Sequence, residues 1–166
     1  MDFLTPIEIE AIRLSLKISF WAMLWSLPLA LGTAWVLARY SFPGKFLLDG
    51  IIHLPLVLPP VVIGYVLLVL MGRQGVIGGF LYDTFAVSLA FSWRGAAVAA
   101  GIMAFPLIVR AIRLSLEAVD QRLEAAARTL GAKPISVFLT ITLPLTMPGI
   151  IAGAILGFAR CLGEFG

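Results

Sequence analysis

Long apolar runs dominate the chain. The first extends from Ile18 to Ala38 and has only Ser and Thr as polar side chains, the second covers about Phe46–Met71, and the third about Trp93–Ile112. The fourth begins near Thr146 and is still apolar when the sequence stops at Gly166. About 20 apolar residues in a helix cross a bilayer core of about 30 Å. The pattern predicts an all-α integral membrane protein with about four transmembrane helices.

The segment before the first run has the pattern of a helix start. Thr5 can act as the N-cap, Pro6 suits the first helical position, and Glu8 completes a capping box. From there to Lys17, charged and apolar side chains separate onto different helix faces. We predict that this amphipathic stretch lies at the membrane interface before the chain enters the bilayer at Ile18.

Prolines interrupt the second run. It contains Pro55, Pro59, Pro60 and Gly64. Proline removes a backbone donor and kinks a helix, and in lipid the freed carbonyls must be covered by protein or water. Pro59 and Pro60 are therefore candidates for a translocation pathway, and a simple packing kink is the alternative. A loop from Gly72 to about Asp83 and a short apolar stretch, Thr84–Phe91, separate this run from the third.

Two features of the fourth run call for explanation. Gly149, Gly153 and Gly157 recur every four residues, so they share one helix face and predict close helix packing.

Arg160 and Glu164 are ionisable groups in or near the end of the span, spaced so that they can pair. They are candidates for a pathway or gate, with a structural ion pair or an interfacial position as the alternative.

Composition supports the membrane assignment. The chain has 166 residues, of which 61% are hydrophobic and 13% charged, with a mean hydropathy of +1.05. Soluble domains have about 25% charged residues. The net charge of +3 is too small to indicate nucleic-acid binding. Cys161 is the only cysteine and His53 the only histidine, which excludes an intramolecular disulfide and a Cys/His metal site. Asp and Glu near the N-terminus argue against a cleavable signal peptide.

The distribution of basic residues predicts the orientation. Arg39 and Lys45 flank the first loop, and five basic residues lie between Arg110 and Lys133. The positive-inside rule places both regions in the cytoplasm. Two spans separate them, so they must share one side of the membrane. The acidic N-terminus and the loop after Gly72 are then expected outside.

The polar region between the third and fourth runs predicts a short helix. Asp120 is a plausible N-cap, and Gly131 is a plausible residue just past the end of the helix, with Pro134 beyond. The apolar positions between them follow the helical spacing i, i+3, i+4, i+7; they are Leu123, Ala126, Ala127 and Leu130. A second short helix is predicted to stop at Leu143-Pro144.

The same region resembles the cytoplasmic signature of ABC importer permeases. That signature reads EAA, three residues, Gly, nine residues, then Ile-x-Leu-Pro. Here Ala126 and Ala127 precede Gly131 at the right spacing, and the final element is Ile141-Thr142-Leu143-Pro144. One position departs from the pattern, because Ala125 stands where the family has Glu and Glu124 is one place earlier. This leaves open whether Glu124 makes the contact of the family's acid.

The resemblance implies a type I ABC importer permease fold. A coupling segment, residues 117–145, would dock on a cytoplasmic ATPase through Glu124, Ala126, Ala127, Gly131 and the Ile141, Leu143 and Pro144 positions. The implied partners are two ABC ATPase subunits that bind ATP and magnesium, an external oxyanion-binding protein, a second permease copy and the lipid bilayer. The implied location is the bacterial inner membrane, and we expect one transmembrane domain over residues 1–166 that is truncated at its C-terminus.

A second resemblance narrows the substrate. The stretch Leu54–Tyr65, the sequence Gly72-Arg73-Gln74-Gly75 and the terminal Leu162–Gly166 are similar to molybdate permeases. Sulfate permeases are close relatives that typically carry Gly-Glu-Tyr-Gly at the last position, where this chain has Phe165. The resemblance therefore implies import of molybdate or tungstate, with sulfate as the alternative.

Other function classes are less well supported. The sequence has no Walker A pattern and no pairing of nucleophile and base, so we expect no ATPase site, no catalytic residues and no cofactor in this chain. An ATP-independent secondary transporter and a non-transporting scaffold remain alternatives. The coupling signature argues against the first and the proline-rich span against the second.

Overall fold

The computed structural model describes residues 5–72, 75, 78–79 and 91–165, without the side chains of residues 164 and 165. Seven α-helices and a π turn make up this part of the chain. In order they are α1 (Pro6–Arg39), α2 (Lys45–Val57), α3 (Pro60–Met71), α4 (Trp93–Ala118), α5 (Gln121–Thr129), α6 (Pro134–Val137), the π turn (Phe138–Thr142) and α7 (Leu143–Phe165). The predicted stretch from Thr84 to Phe91, apart from Phe91 itself, and most of the loop before it lie outside the described residues.

Helix α1 begins at the predicted capping box. The Thr5 backbone N–H donates to Glu8 Oε2 at 2.6 Å, and the Glu8 N–H donates to Thr5 Oγ1 at 3.4 Å. The 34 residues of α1 form one helix about 50 Å long. The amphipathic stretch before Ile18 is therefore continuous with the membrane span, and no break separates the two.

Helices α1, α4 and α7 form the core of the bundle. α1 and α4 run parallel, because Lys17 Nζ lies 4.1 Å from the Trp93 ring centre at one end and Arg39 contacts α5, just after α4, at the other. α7 returns antiparallel, with Cys161 Sγ 3.6 Å from the Ala100 carbonyl oxygen. The buried face of α1 consists mainly of small residues, namely Ser19, Ala22, Ser26, Ala30 and Ala34. Small side chains let helix backbones approach closely in a membrane, where no hydrophobic force drives helices together.

The glycines of α7 lie at the contact with α4. A Cβ on Gly149 would lie 2.2 Å from Ser115 Cβ, and one on Gly153 would lie 3.3 Å from the Ile108 carbonyl oxygen. A Cβ on Gly157 would lie 2.7 Å from Ile108 Cγ1. The spacing of four residues thus brings one face of α7 against the backbone and short side chains of α4.

The second predicted span is not a single helix. Helices α2 and α3 meet at an angle of 112°. Leu58 and Pro59 both have extended backbone, with ψ of 141° and 140°. Each of them precedes a proline, and the proline ring disfavours the helical conformation of the residue before it. Among the described residues, three helices are long and apolar enough to cross a membrane, or four spans result if the bent pair counts as one. This agrees with about four spans from the sequence.

One predicted helix end was misplaced. α4 starts at Trp93, where the third apolar run begins, and continues past the end of that run at Ile112 to Ala118. The prediction that a helix stops at Leu143-Pro144 was wrong, because the chain is continuously helical from Pro134 to Gly163. In the π turn the Leu143 N–H donates to the Phe138 carbonyl, five residues back. This wider turn accommodates Pro144, which lacks an N–H and whose ring would otherwise clash with the preceding turn.

Candidate coupling site

Helix α5 has the ends that the sequence predicts. Asp120 Oδ1 accepts the Arg122 backbone N–H at 2.9 Å. At the other end Gly131 has φ +84°, its N–H donates to the Arg128 carbonyl at 3.0 Å, and the Ala132 N–H donates to the Ala127 carbonyl at 3.1 Å. These two bonds form a Schellman motif, which satisfies the last carbonyls of the helix. The predicted helix between Asp120 and Gly131 is confirmed.

The left-handed conformation at Gly131 gives a direct test of this helix end. We expect Gly131→Ala to destabilise the end of α5 by about 1–2 kcal/mol, because a Cβ is unfavourable at this φ. Gly131→Asn should cost less, since asparagine adopts this region more readily. Hydrogen exchange of the residue 126–132 amides in detergent measures the effect. Equal exchange in the two variants would contradict it.

Most of the apolar face of α5 is exposed in the described part of the chain. Leu123 is 50% exposed and Leu130 is 89% exposed, Ala126 is exposed, and Ala127 is half-buried. These are the four positions of the predicted stripe. Gly131 is exposed beside them. The arrangement presents an apolar surface beyond the end of the bundle.

Glu124 faces the opposite way. Its side chain is buried, and its Oε1 accepts the Thr142 hydroxyl at 2.7 Å and a hydrogen bond from Arg39 Nη2. Arg39 is the last residue of α1 and Thr142 the last of the π turn. Glu124, one place before the acid of the family signature, therefore hydrogen-bonds to residues of its own chain and is not part of the exposed face.

The Ile-x-Leu-Pro element lies at the junction of the π turn and α7. Ile141 and Leu143 are half-buried and Pro144 is exposed. Thr142, between them, is fully buried. The element thus fixes the start of the α7 span, and it connects to α5 through the Thr142 hydroxyl.

The pathway candidates occupy separate places. Pro59 and Pro60 are exposed at the bend between α2 and α3. Arg160 is exposed in the last part of α7. The side chain of Glu164 lies outside the described residues, so its predicted pairing with Arg160 stays a prediction.

An ion network at the same end of the bundle as α5 was missed in the sequence. Arg113 Nη1 donates to Asp49 Oδ1 at 3.0 Å and its Nε donates to Glu117 Oε1 at 2.8 Å, which ties α2 to α4. His53 lies beside this network, with its Nδ1 2.8 Å from the Asp49 carbonyl oxygen. The i, i+4 spacing of Arg113 and Glu117 could have predicted their pairing on one helix face. The pairing of Arg113 with Asp49 on α2 depends on the tertiary fold.

These contacts also test the grouping of the basic regions. Arg39, at the end of α1, binds Glu124, and Asp49 of α2 binds Arg113 of α4. The first loop and the polar region therefore share one end of the bundle, as the sequence predicts. Which side of the membrane this end faces stays a prediction.

Comparison with known proteins identifies the family. The model of the binding-protein-dependent transport system inner membrane component matches residues 26–166. The chain is 64% identical over 163 residues to the molybdenum transport system permease protein ModB of Escherichia coli K12, covering 98% of this chain and 71% of the relative. It is 64% identical to ModB of Haemophilus influenzae over 159 residues, 96% of this chain and 69% of the relative.

A sulfate relative is more distant. The sulfate transport system permease protein CysT of Salmonella typhimurium is 38% identical over 161 residues, 97% of this chain and 58% of the relative. The comparisons confirm the predicted fold class, a type I ABC importer permease, and a multi-pass inner membrane location. Because the family match covers most of the chain and the relatives align along nearly all of it, the chain belongs to the inner membrane components of binding-protein-dependent transport systems.

Proposed function

We propose that this chain is the membrane-spanning permease subunit of an ATP-driven importer that carries molybdate, or tungstate, into the cytoplasm by alternating access. The proposed substrate rests on the 64% identity to ModB over nearly the whole chain, compared with 38% identity to the sulfate permease CysT. The family supports the transport role itself.

The exposed face of α5 supports docking on a cytoplasmic ATPase. Leu123, Ala126 and Leu130 of its stripe are exposed in the described part of the chain, whereas Glu124 holds the helix to the bundle on its other side. An amphipathic helix of this kind binds by laying its apolar face in a groove of a partner. The partner ATPase would hold ATP and magnesium, since this chain has no Walker A sequence.

The bend between α2 and α3 supports a second copy of the chain. All residues of α2 are described and none is buried, and in α3 only Ile63 is buried. Non-helical backbone at membrane depth must be covered by protein or line a water-filled cavity. In a homodimer, the second copy would cover this backbone, and a pathway between the copies would supply the water-filled cavity. Pro59 and Pro60 would then lie at or near that pathway.

The orientation follows from charge. The end of the bundle that carries α5, Arg39 and Arg113 faces the cytoplasm, and the N-terminus faces outward. An external oxyanion-binding protein would deliver the anion to the outer side. ATP binding would close the ATPase pair, move the two α5 helices, and turn the pathway from inward-facing to outward-facing.

The substrate proposal is tested in proteoliposomes that contain the full-length permease with its ATPase. We expect molybdate-loaded and tungstate-loaded binding protein to stimulate ATP hydrolysis and anion uptake, and sulfate-loaded binding protein to have little effect. Stimulation by sulfate alone would assign the chain to sulfate import. Uptake that continues without ATP would indicate a secondary transporter.

A further inference from the structure

Five side chains from three elements meet where α5 joins the bundle. Trp35 and Arg39 lie on the last turns of α1, Glu124 lies on α5, and Phe138 and Thr142 are the first and last residues of the π turn. We call these five residues the coupling clamp. Glu124, Phe138 and Thr142 lie within residues 117–145, whereas Trp35 and Arg39 come from the end of α1.

The polar half of the clamp is centred on the Glu124 carboxylate. Its Oε1 accepts hydrogen bonds from Thr142 Oγ1 at 2.7 Å and from Arg39 Nη2. The side chains of Arg39 and Glu124 are only 11% and 9% exposed, and Thr142 is fully buried. Charge-assisted hydrogen bonds removed from water in this way are stronger and more directional than surface ion pairs.

The aromatic half joins the same elements. The Trp35 and Phe138 rings meet edge to face, with centroids 4.8 Å apart and an interplanar angle of 89°. The Arg39 guanidinium carbon lies 5.5 Å from the Trp35 ring centre. The end of α1 therefore contacts the π turn through Trp35 and α5 through Arg39, so the three elements cannot move independently without breaking these contacts.

Within α5 itself, Glu124 is the buried residue. The neighbouring positions Leu123, Ala126 and Leu130 face away from the bundle. A nine-residue helix is too short to be stable on its own in water. Its attachment to the bundle therefore depends strongly on the carboxylate.

We propose that Glu124, with Arg39 and Thr142, is a positioning residue that makes the coupling helix move as one body with the end of α1 and the start of α7. Glu124 acts inside the permease and does not contact the ATPase. This inference rests on the proposed transport function. It assigns Arg39, which lies outside residues 117–145, to coupling, and it gives the buried Thr142 hydroxyl a role beside it.

The first arm of the test uses the purified full-length permease in detergent, without any partner. Thr142→Val removes the hydroxyl that binds Glu124 and keeps the side-chain shape, and Glu124→Gln removes the charge. We expect amide exchange in residues 123–130 to rise about tenfold in Glu124→Gln and several-fold in Thr142→Val, as hydrogen bonds to a buried charge are lost.

Matched controls exist for both variants. Thr140→Val removes a hydroxyl of the same π turn that donates to the Ser136 carbonyl, at 2.7 Å, and not to Glu124. Glu117→Gln neutralises a more exposed acid paired with Arg113 on α4. Neither control should change exchange in α5. Unchanged exchange in Glu124→Gln, or equal rises in the controls, would overturn the proposal.

The second arm measures coupling in proteoliposomes. We expect Glu124→Gln to retain the co-purified ATPase while the ATP hydrolysed per anion imported rises several-fold, a change that mere instability would not produce. Loss of the ATPase from Glu124→Gln with normal α5 exchange would show that the carboxylate contacts the partner, which refutes the proposal. If even the unaltered permease imports no oxyanion, the proposed function fails, whereas the exchange result still decides whether the clamp exists.

Discussion

Leu130→Asp is expected to abolish ATP-driven transport while the permease itself stays folded. Leu130 is 89% exposed at the end of α5, so a polar side chain there costs the isolated subunit little. In the complex, the same position would place an unpaired carboxylate in an apolar groove. An uncompensated buried charge costs about 3–5 kcal/mol, which corresponds to a loss of affinity of about a hundredfold or more. Co-purification of the ATPase and ATP-dependent anion uptake measure the effect.

Thr129→Asp is the matched control for this experiment. It introduces the same charge one residue earlier, near the same helix end, at an exposed position outside the apolar stripe. Any general effect of a carboxylate at the C-terminus of α5 should therefore occur in both variants. Equal loss of ATPase binding in the two would show that the stripe is not the docking face.

Gly149→Ala is expected to destabilise the packing of α7 on α4 by about 1–3 kcal/mol. Its added Cβ would lie 2.2 Å from Ser115 Cβ and 2.9 Å from the Ala111 carbonyl oxygen. A backbone carbonyl cannot rotate away as a flexible side chain can, so the two helices must separate. The midpoint of thermal or SDS-induced unfolding in detergent measures the change.

Two other glycines of α7 calibrate this result. Gly163→Ala adds a methyl group with nothing within 4 Å, so its intrinsic effect on the helix is neutral or favourable. Gly153→Ala places its Cβ 3.3 Å from the Ile108 carbonyl oxygen and should fall between the two. Similar unfolding midpoints for the three variants would contradict the close approach of α7 to α4 at Gly149.

The bend at Pro59 and the continuous helix through Pro144 show why prolines are hard to interpret from sequence. At Pro59 and Pro60 two adjacent rings exclude helical backbone from both preceding residues, and the helix breaks by 112°. At Pro144 a single ring is accommodated by a π turn. The doubled proline is a local signal of the break, whereas the π turn at Pro144 was not apparent from the sequence.

Glu124 is a second case. Its spacing from Gly131 showed that Glu124 lies one place before the acid of the family signature. The sequence could not show whether its side chain points toward the bundle or away from it. The helix has one face toward the bundle and one away from it, and which face is which depends on how α4 and α7 place the two ends of the segment. Only when Arg39 and Thr142 are brought beside it does the carboxylate have partners.

The sequence by itself determined that the chain lies in a membrane, where α1, α4 and α5 start, and which segment resembles the coupling region of the family. Hydrophobic run length, capping residues and a fixed motif spacing act over a few turns of chain, so they can be read without the fold. The tertiary structure alone decided the bend of α2 against α3, the inward direction of Glu124 and the ion network around Arg113. These depend on contacts between residues distant in sequence, whose energies exist only once the helices have packed.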